Sequence, residues 1–121
     1  MNVKVLCLTL FVAGGMNLLA QKNYQLQSPD GKLKAVVEVD KSIEFSVSHD
    51  GTEVLALSPI SMSLQGGEVL GADPKVSKVT KGTVNKIIPA QFYKKTAVTD
   101  TYNAMTLLFK GNYSVEFRAY N

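Results

Sequence analysis

Three carboxylates that lie close together in the sequence are the first residues that could do chemistry. Glu38, Asp40 and Glu44 could supply a general acid and a general base, because neighbouring carboxyl groups can hold different pKa values. All three, however, fall on the polar phase of two alternating segments, the phase that faces solvent in a half-buried strand. A catalytic acid needs burial or a like-charge neighbour to raise its pKa. We therefore predict a solvated face here and no catalytic residue in this chain.

A single histidine and a single cysteine limit the metal and redox chemistry of the chain. His49 precedes Asp50–Gly51, and no Ser or Cys nucleophile motif lies near it, so we interpret it as a turn residue rather than a catalytic base. One histidine excludes a multi-histidine metal centre. One cysteine, Cys7, excludes an intramolecular disulfide and a cysteine-based zinc site. The sequence therefore predicts no metal ligands.

The best candidates for a binding site lie near residue 100. Asp100, Tyr102 and Asn103 are polar side chains around the end of Ile87–Asp100, a stretch without clean alternation that we predict to be an ordered loop. Ordered loops often carry binding residues. The interpretation we favour is turn chemistry, in which the Asp and Asn side chains hydrogen-bond to nearby backbone, because loop Asp and Asn mostly serve that role. The three residues are kept as the candidates for a binding site.

The first 20 residues have the layout of a secretory signal peptide. Lys4 supplies a positive start, Val5–Ala13 is an apolar run, and Gly14–Gly15 interrupts it. We predict cleavage between Ala20 and Gln21, which leaves a domain over residues 21–121. The alternative is a membrane anchor, but a span needs about 20 uninterrupted apolar residues. We therefore expect an exported protein, periplasmic or at the cell surface, with no membrane attachment after cleavage.

The charge of the chain argues against a nucleic-acid partner. It carries 13 basic and 10 acidic residues, a net charge of +3, and no basic run is longer than Lys94–Lys95. Nucleic-acid binding requires basic residues clustered on one face or along one element. We therefore expect no nucleic-acid partner.

Apolar and polar residues alternate with a period of two through most of residues 21–121. This alternation is typical of strands with one buried face. Turn residues such as Ser28–Gly31 and Asp50–Gly51 separate the runs, and Asp-Gly between alternating runs favours a hairpin. About seven short strands at this spacing predict an all-β fold, an antiparallel β-sandwich. The predicted inward-facing side chains are Leu33, Ala35, Val37, Val39, Ile43, Phe45, Val47, Ile60, Met62, Leu64, Met105, Leu107, Phe109, Tyr113, Val115, Phe117 and Ala119.

Two further segments bear on the extent of the domain. Val69–Asn85 is polar and punctuated by glycine and proline, and we predict a long excursion with one irregular strand. Ser114–Tyr120 still alternates where the sequence stops at Asn121. A sandwich that ended there would leave unpaired backbone groups at an apolar edge. We therefore expect the sandwich of residues 21–121 to be incomplete at its C-terminal end.

Several segments, taken in order along residues 21–121, carry a resemblance to a known family. They are Leu26–Leu33, Ile43–Val47, Val54–Pro59, Val98–Asn103 and Phe117–Tyr120. Together they resemble the N-terminal domain of glycoside hydrolase family 97, the exported α-glucosidases and α-galactosidases of Bacteroides-type bacteria. In that family the Phe-Arg-Ala-Tyr segment runs on into an Asp-Gly turn and another strand, whereas Asn121 stands here where an Asp would follow.

The resemblance implies a part of a large β-sandwich, or super-sandwich, that packs against a (β/α)₈ catalytic barrel. It also implies hydrolysis of α-glycosides in oligo- or polysaccharides by two carboxylates, one protonating the leaving oxygen and the other activating water or attacking the anomeric carbon. Calcium is implied near the sugar site of the whole enzyme, in a Gram-negative periplasm or at its surface. The family's catalytic carboxylates and calcium-binding glutamates lie beyond the region that this chain matches. The resemblance therefore predicts a non-catalytic segment without a cofactor of its own, whose partner is the rest of its own chain.

The alternative function is a free-standing carbohydrate-binding or adhesion sandwich. Sugar-binding faces usually display exposed aromatic platforms. This chain has no Trp, and no three of its five Tyr residues share a predicted outward face. A small ligand-binding barrel is a third option, but it would need every strand edge to be closed.

Overall fold

The computed structural model describes residues 22–91, 94 and 96–121. The predicted signal peptide, residues 1–20, and its cleavage site between Ala20 and Gln21 lie outside these residues. The described residues form nine strands, all antiparallel in their pairing. Over the same residues, no helix has the length and hydropathy needed to cross a membrane.

The first sheet contains four strands in the order β1-β2-β3-β4. Tight turns connect successive strands, and the Asp50–Gly51 hairpin that the sequence predicts is present, with both residues at positive φ (46° and 78°). Positive φ at both central residues matches the right-handed twist of the flanking strands. The strands are β1 (Lys22–Gln27), β2 (Leu33–Val39), β3 (Ile43–His49) and β4 (Thr52–Ile60).

The second large sheet contains three strands in the order β7-β8-β9, and a two-stranded sheet of β5 and β6 lies between the two large sheets in sequence. β7 and β8 are the longest strands, and they pair from Val76 opposite Phe109 to Pro89 opposite Ala97. These elements are β5 (Met62–Ser63), β6 (Val69–Leu70), β7 (Val76–Pro89), β8 (Ala97–Phe109) and β9 (Tyr113–Tyr120).

The core lies between the two large sheets, which confirms the predicted antiparallel β-sandwich. Alternate residues of β2 point inward and are buried, and the same holds for the C-terminal half of β8. β1 and β2 contact β8 and β9 across this core. Because side chains of alternate residues lie on one face of a strand, the period of two places apolar groups from both sheets in one layer. The buried apolar residues are Leu26, Ala35, Val37, Val39, Ile43, Met105, Leu107, Phe109 and Ala119.

One sequence prediction about secondary structure is wrong at both ends of the segment it covers. Ile87–Asp100 was expected to be a loop, but β7 reaches Pro89 and β8 begins at Ala97. Here the β7–β8 hairpin buries neither face against another sheet, and a ribbon without a buried face shows no alternation. Val69–Asn85 was expected to contain one irregular strand; it contains β6 and most of β7, whose pairing is irregular between Val76 and Lys78.

One side of the sandwich leaves apolar side chains exposed. β4 is exposed from Thr52 to Leu57, and it is the edge strand of the first sheet. Met62 and Leu64 were predicted to face inward but are exposed, Met62 by 61%. We call the exposed apolar residues of β4 to β6 the open side; they are Val54, Leu55, Leu57, Met62, Leu64 and Val69.

Candidate functional site

A cleft of about 520 Å³ lies between the edge of the first sheet and the second sheet. β1 forms one wall, and β7 and β8 form the other. We call it the polar cleft because five of its eight lining residues have amide, hydroxyl or ammonium side chains. Its lining residues are Gln25, Leu26, Gln27, Lys81, Gly82, Thr83, Asn103 and Ala104.

The free edge of β1 determines how the polar cleft is built. β1 pairs with β2 on one side only, so alternate carbonyl oxygens on its other side point away from the ladder. Lys81 donates from Nζ to the carbonyl oxygen of Gln25 (2.8 Å), and Asn103 donates from Nδ2 to that of Gln27 (2.9 Å). These two side chains therefore satisfy the edge carbonyls and join the two sheets.

Asn103 has both ends of its amide engaged. Besides the bond to β1, its Oδ1 accepts a hydrogen bond from the Thr83 hydroxyl at 2.8 Å. Asn103 and Thr83 are directly opposite each other in the β7–β8 ladder, so their side chains lie on the same face. An amide held at both ends positions neighbouring strands, and it leaves little capacity to bind a ligand.

The chemistry available in the polar cleft is hydrogen bonding without acid–base catalysis. None of its lining residues is Asp, Glu or His. Its polar groups could orient a neutral polar molecule, but hydrolysis of a glycoside needs two carboxylates about the scissile bond. The lining residues therefore do not supply such a pair of carboxylates.

Tyr102 belongs to a separate cluster on the opposite face of the second sheet. Its ring packs against that of Tyr120, with centroids 4.8 Å apart, and the Arg118 guanidinium lies 5.0 Å from the Tyr102 ring centre. Arg118 donates from Nε to Glu116, and this hydrogen bond, followed by one with Tyr120, raises the pKa of Arg118 above its ordinary value. The cluster buries Tyr102 and holds β8 and β9 together.

Asp100 lies on the same face as Tyr102, opposite Lys86 in the ladder. Side chains of residues an odd number of positions apart lie on opposite faces of a strand, so Asn103 lies on the other face. The structure therefore does not bring the three predicted candidates into one site. All three lie in β8 rather than near the end of a loop, so turn chemistry does not describe them, and a role in binding stays a prediction.

Glu38, Glu44 and His49 lie outside the polar cleft. Glu38 and Glu44 face each other across β2 and β3 on the outer face, opposite in phase to the buried Val37 and Val39. This confirms their outward orientation. The pairing of two like charges was not foreseen, because it depends on the register of the hairpin. His49 lies in the Asp50 turn as predicted, with 3.5 Å between its Nδ1 and Asp50 Oδ2.

The Ser28–Gly31 turn is present as the sequence predicts, and the Asp30 side chain caps it. Ser28 donates from Oγ to Asp30 Oδ1 at 2.5 Å, and the Lys32 backbone N–H donates to the same oxygen at 3.1 Å. These two hydrogen bonds, with the Ser28 bond as the larger cause, lower the pKa of Asp30 below its ordinary value. The Ser-Pro-Asp-Gly segment is the sequence signal that indicates such a turn.

The described part of the chain contains no group of three or more His, Cys, Asp or Glu residues that could hold a metal ion. The carboxylates of this part lie apart or in opposed pairs such as Glu38 and Glu44. Calcium takes six to eight oxygen ligands, several of them carboxylates. The described residues therefore do not fit a calcium site.

Comparisons with known proteins agree on one family. A family model described as "Glycosyl-hydrolase 97 N-terminal" matches residues 26–121. A protein named retaining alpha-galactosidase, from Bacteroides thetaiotaomicron, is 39% identical over 118 residues, which is 98% of this chain and 18% of that protein. The chain thus spans less than a fifth of the length of this curated relative.

Solved structures give the same fold. A glycoside hydrolase family 97 enzyme from Pseudoalteromonas sp. strain K8, in complex with acarbose, superposes with a TM-score of 0.72 and 24% sequence identity, over 81% of this chain and 16% of that one. A variant of the same enzyme in complex with panose gives the same values. At this identity the structures bear on the fold alone, and they support a β-sandwich.

Proposed function

Because the chain belongs to the glycosyl-hydrolase 97 N-terminal family, we propose that it is the non-catalytic N-terminal β-sandwich segment of an exported enzyme that hydrolyses α-glycosides. Its role in this proposal is to support the (β/α)₈ catalytic barrel and to form part of the rim of the active site. The substrate is an oligo- or polysaccharide that the rest of the polypeptide cleaves.

The observation that carries the proposal is the extent of the match. The family model covers residues 26–121, and the α-galactosidase relative is matched over only 18% of its length. The polar cleft has no carboxylate, and Glu38, Asp40 and Glu44 lie on the outer side of the first sheet or in its turns. A segment of this kind contributes packing and position, and the catalytic carboxylates lie in the remainder of the enzyme.

The open side supports the same role. One of its residues, Met62, lines a smaller cavity of about 230 Å³ between the first sheet and the edge of β9, whose lining is mostly apolar and includes Ile43 and Val115. Large contiguous apolar surfaces are typical of interaction sites. We propose that further strands of the same sandwich cover the open side and fill this cavity.

The reaction of the whole enzyme follows from the two-carboxylate chemistry of glycosidases. In a retaining reaction, which the relative's name states for that protein, one carboxylate attacks the anomeric carbon while the other protonates the leaving oxygen. We assign both carboxylates, and the calcium ion expected for the family, to the remainder of the polypeptide. No step of the reaction is assigned to a residue of this chain.

Export is the second part of the proposal. The leader at residues 1–20 predicts secretion, and residues 21–121 contain no cysteine, so the sandwich depends on its core rather than on disulfides. We propose a periplasmic or cell-surface location in a Gram-negative bacterium. Mass spectrometry of the protein recovered from the periplasm tests this: an N-terminus at Gln21 supports it, and a retained Met1 contradicts it.

The test of the support role uses two variants of the Bacteroides α-galactosidase. In the deletion enzyme the segment that matches this chain is removed, and in the chimera residues 22–121 of this chain replace it. We expect the chimera to unfold at a temperature close to that of the parent and the deletion enzyme to unfold well below it. A deletion enzyme as stable as the parent would contradict the support role.

The alternative, a free-standing carbohydrate-binding sandwich, has one point in its favour, the polar cleft. Its volume lies within the range of small-molecule pockets, but no aromatic ring lines it. Isothermal titration of the isolated chain with galactose- and glucose-containing oligosaccharides distinguishes the two functions. Sub-millimolar binding would favour the alternative, and its absence, together with a stable chimera, favours the proposed segment.

A further inference from the structure

The hairpin of β7 and β8 extends past the third strand of its sheet. β9 ends at Tyr120, which lies opposite Tyr102. Beyond this point β7 and β8 pair only with each other in the described part of the chain, from Asn85 opposite Thr101 to Pro89 opposite Ala97. We call these paired residues, 85–89 and 97–101, the β-arm.

Both faces of the β-arm carry exposed apolar side chains. Ile88 and Val98 are opposite each other on one face and are 48% and 41% exposed. Ile87, on the other face, is 74% exposed, and Pro89 and Ala97 lie beside it on that face. A two-stranded ribbon is marginally stable in water, so a ribbon with apolar groups on both faces is expected to be covered on both.

The base of the β-arm is held firmly to the sandwich. β8 runs without interruption from Met105 in the core into the β-arm. The Tyr102–Tyr120 ring pair and the Arg118 guanidinium brace the outer face where the β-arm begins. On the inner face, Thr101 donates from Oγ1 to Asn85 Oδ1 at 3.0 Å. The β-arm is therefore a fixed projection of the sandwich rather than a separate hairpin.

We propose that the β-arm is the element that docks this segment to the catalytic part of the same enzyme, by inserting between two apolar surfaces of it. The proposal rests on the proposed function, because it takes the remainder of a family 97 polypeptide as the occupant. More than four fifths of the α-galactosidase relative lies outside the matched segment, so a large surface is available in the same chain.

The side chains around the β-arm indicate the chemistry of that surface. Lys86 and Lys94 are exposed, and Asp100 is the one acidic group within the β-arm. Because Lys86 and Asp100 lie opposite each other in the ladder, the occupant is expected to present apolar patches bordered by polar groups of both charges. Tyr120 and Arg118 at the base are residue types enriched in protein interfaces, and Tyr120 is half exposed and able to extend the contact.

Hydrogen exchange measured by mass spectrometry on the chimera tests the docking directly. The β-arm amides are expected to exchange within about tenfold of the rate of the core amides 105–109, since a covered strand opens only with its surroundings. The same amides in the urea-unfolded chimera supply the reference rate for exposed backbone. Exchange of the β-arm at a rate close to this reference would overturn the proposal.

Single substitutions on each face give a second readout. Ile87→Thr and Ile88→Thr keep a β-branched side chain, so the strand itself is retained. Each is expected to speed exchange of the β-arm amides by about tenfold or more, because burying a polar hydroxyl in place of an ethyl group weakens the contact. The matched control is Leu108→Thr, at a similarly exposed site on the body of β8 (43%). Equal exchange in the β-arm variants and the control would refute the docking.

The outcomes separate this proposal from the proposed function. A chimera as stable and active as its parent, with a freely exchanging β-arm, overturns the docking and leaves the support role in place. If the chimera does not fold, the same measurement on the α-galactosidase itself, at the strands that align with 85–89 and 97–101, decides the matter. Light scattering completes the test: a monomer with a protected β-arm supports docking within one chain, and protection found only in a dimer contradicts it.

Discussion

Replacing Asn103 by alanine is the change that tests the connection between the two sheets. Asn103 donates to the Gln27 carbonyl on the edge of β1 and accepts from the Thr83 hydroxyl on β7. Asn103→Ala removes both hydrogen bonds at once. We expect the variant to keep the fold, because the apolar core does not include this side chain, but to unfold at a lower urea concentration than the unsubstituted chain.

The size of the effect follows from the two hydrogen bonds. A protein hydrogen bond contributes roughly 0.5 to 1.5 kcal/mol net of its competition with water. Asn103 is half-buried and both bonds are partly accessible to water, so we expect a loss of about 1 to 2 kcal/mol in the free energy of unfolding. In a domain of this size that corresponds to a fall of roughly 4 to 16 °C in the melting temperature.

The matched control is Asn85→Ala. Asn85 accepts one hydrogen bond, from Thr101, within the exposed β-arm, and it does not bridge the sheets. Its replacement is expected to cost about 0.5 kcal/mol or less. Urea unfolding followed by circular dichroism compares the two variants. If Asn103→Ala is no more destabilising than Asn85→Ala, the side chain does not join the sheets and the reasoning fails.

Three other changes test the core, a turn and a titrating group. Leu107→Ala should lower the free energy of unfolding by about 2 to 5 kcal/mol, because it leaves a cavity in the core. Leu108 is exposed on the same strand, so Leu108→Ala should lower it by less than about 1 kcal/mol. Equal urea midpoints for the two variants would contradict the assigned core. Gly51→Ala should destabilise the folded chain by about 1 kcal/mol, because the backbone φ at Gly51 is 78°. Gly82→Ala should be neutral or stabilising, because there is open space around the added methyl group. Thermal melts compare the two variants, and an unchanged melting temperature for Gly51→Ala would contradict the assigned turn. The pKa of Asp30 is lower in the folded chain than in the unfolded chain, so ionised Asp30 stabilises the fold. This stabilisation is complete above the unfolded pKa of about 3.9 and is lost as pH falls through the pKa of Asp30 in the folded chain. Asp30→Asn should therefore reduce the fall in the urea midpoint between about pH 5 and pH 2, and an unchanged pH dependence would argue against the turn hydrogen bonds.

The sandwich could be predicted from the sequence where one face of a strand is buried. Val37 and Val39 on β2, and Met105 and Leu107 on β8, lie in the core as the period of two predicts. The Asp50–Gly51 hairpin was predictable because its turn demands residues that tolerate positive φ. Both signals are local, so neither depends on which strands pair at long range.

The parts that could not be predicted depend on tertiary context. Alternation of apolar and polar residues does not identify the β-arm. Ile87 and Ile88 are adjacent apolar residues, so they lie on opposite faces of β7. Tyr102 looks like a loop residue in the sequence, but the register of β8 against β9 places it beneath Tyr120 and Arg118. Asn103 was identified as a candidate, but its role in bridging the sheets depends on how the edge of β1 lies against β8.

The candidate site was also predictable only in part. Glu38, Asp40 and Glu44 were predicted to face outward because of their phase, and Glu38 and Glu44 do lie on the outer face, where both are half-buried. The polar cleft was not predicted, since its walls come from strands more than 50 residues apart in the sequence, as in the Lys81 to Gln25 hydrogen bond. Sequence patterns identify which side chains face outward, and only the packing of the two sheets decides which of them meet.

The most direct test of the central claim is the rate at which the chimera hydrolyses a chromogenic aryl α-galactoside. The chimera, the deletion enzyme and the isolated residues 22–121 are compared at one temperature and enzyme concentration. The account predicts kcat/KM within about tenfold of the parent for the chimera, a loss of activity in the deletion enzyme, and no hydrolysis by the isolated chain. A fully active deletion enzyme, or hydrolysis by the isolated chain, would contradict the claim that this sandwich supports catalysis without performing it.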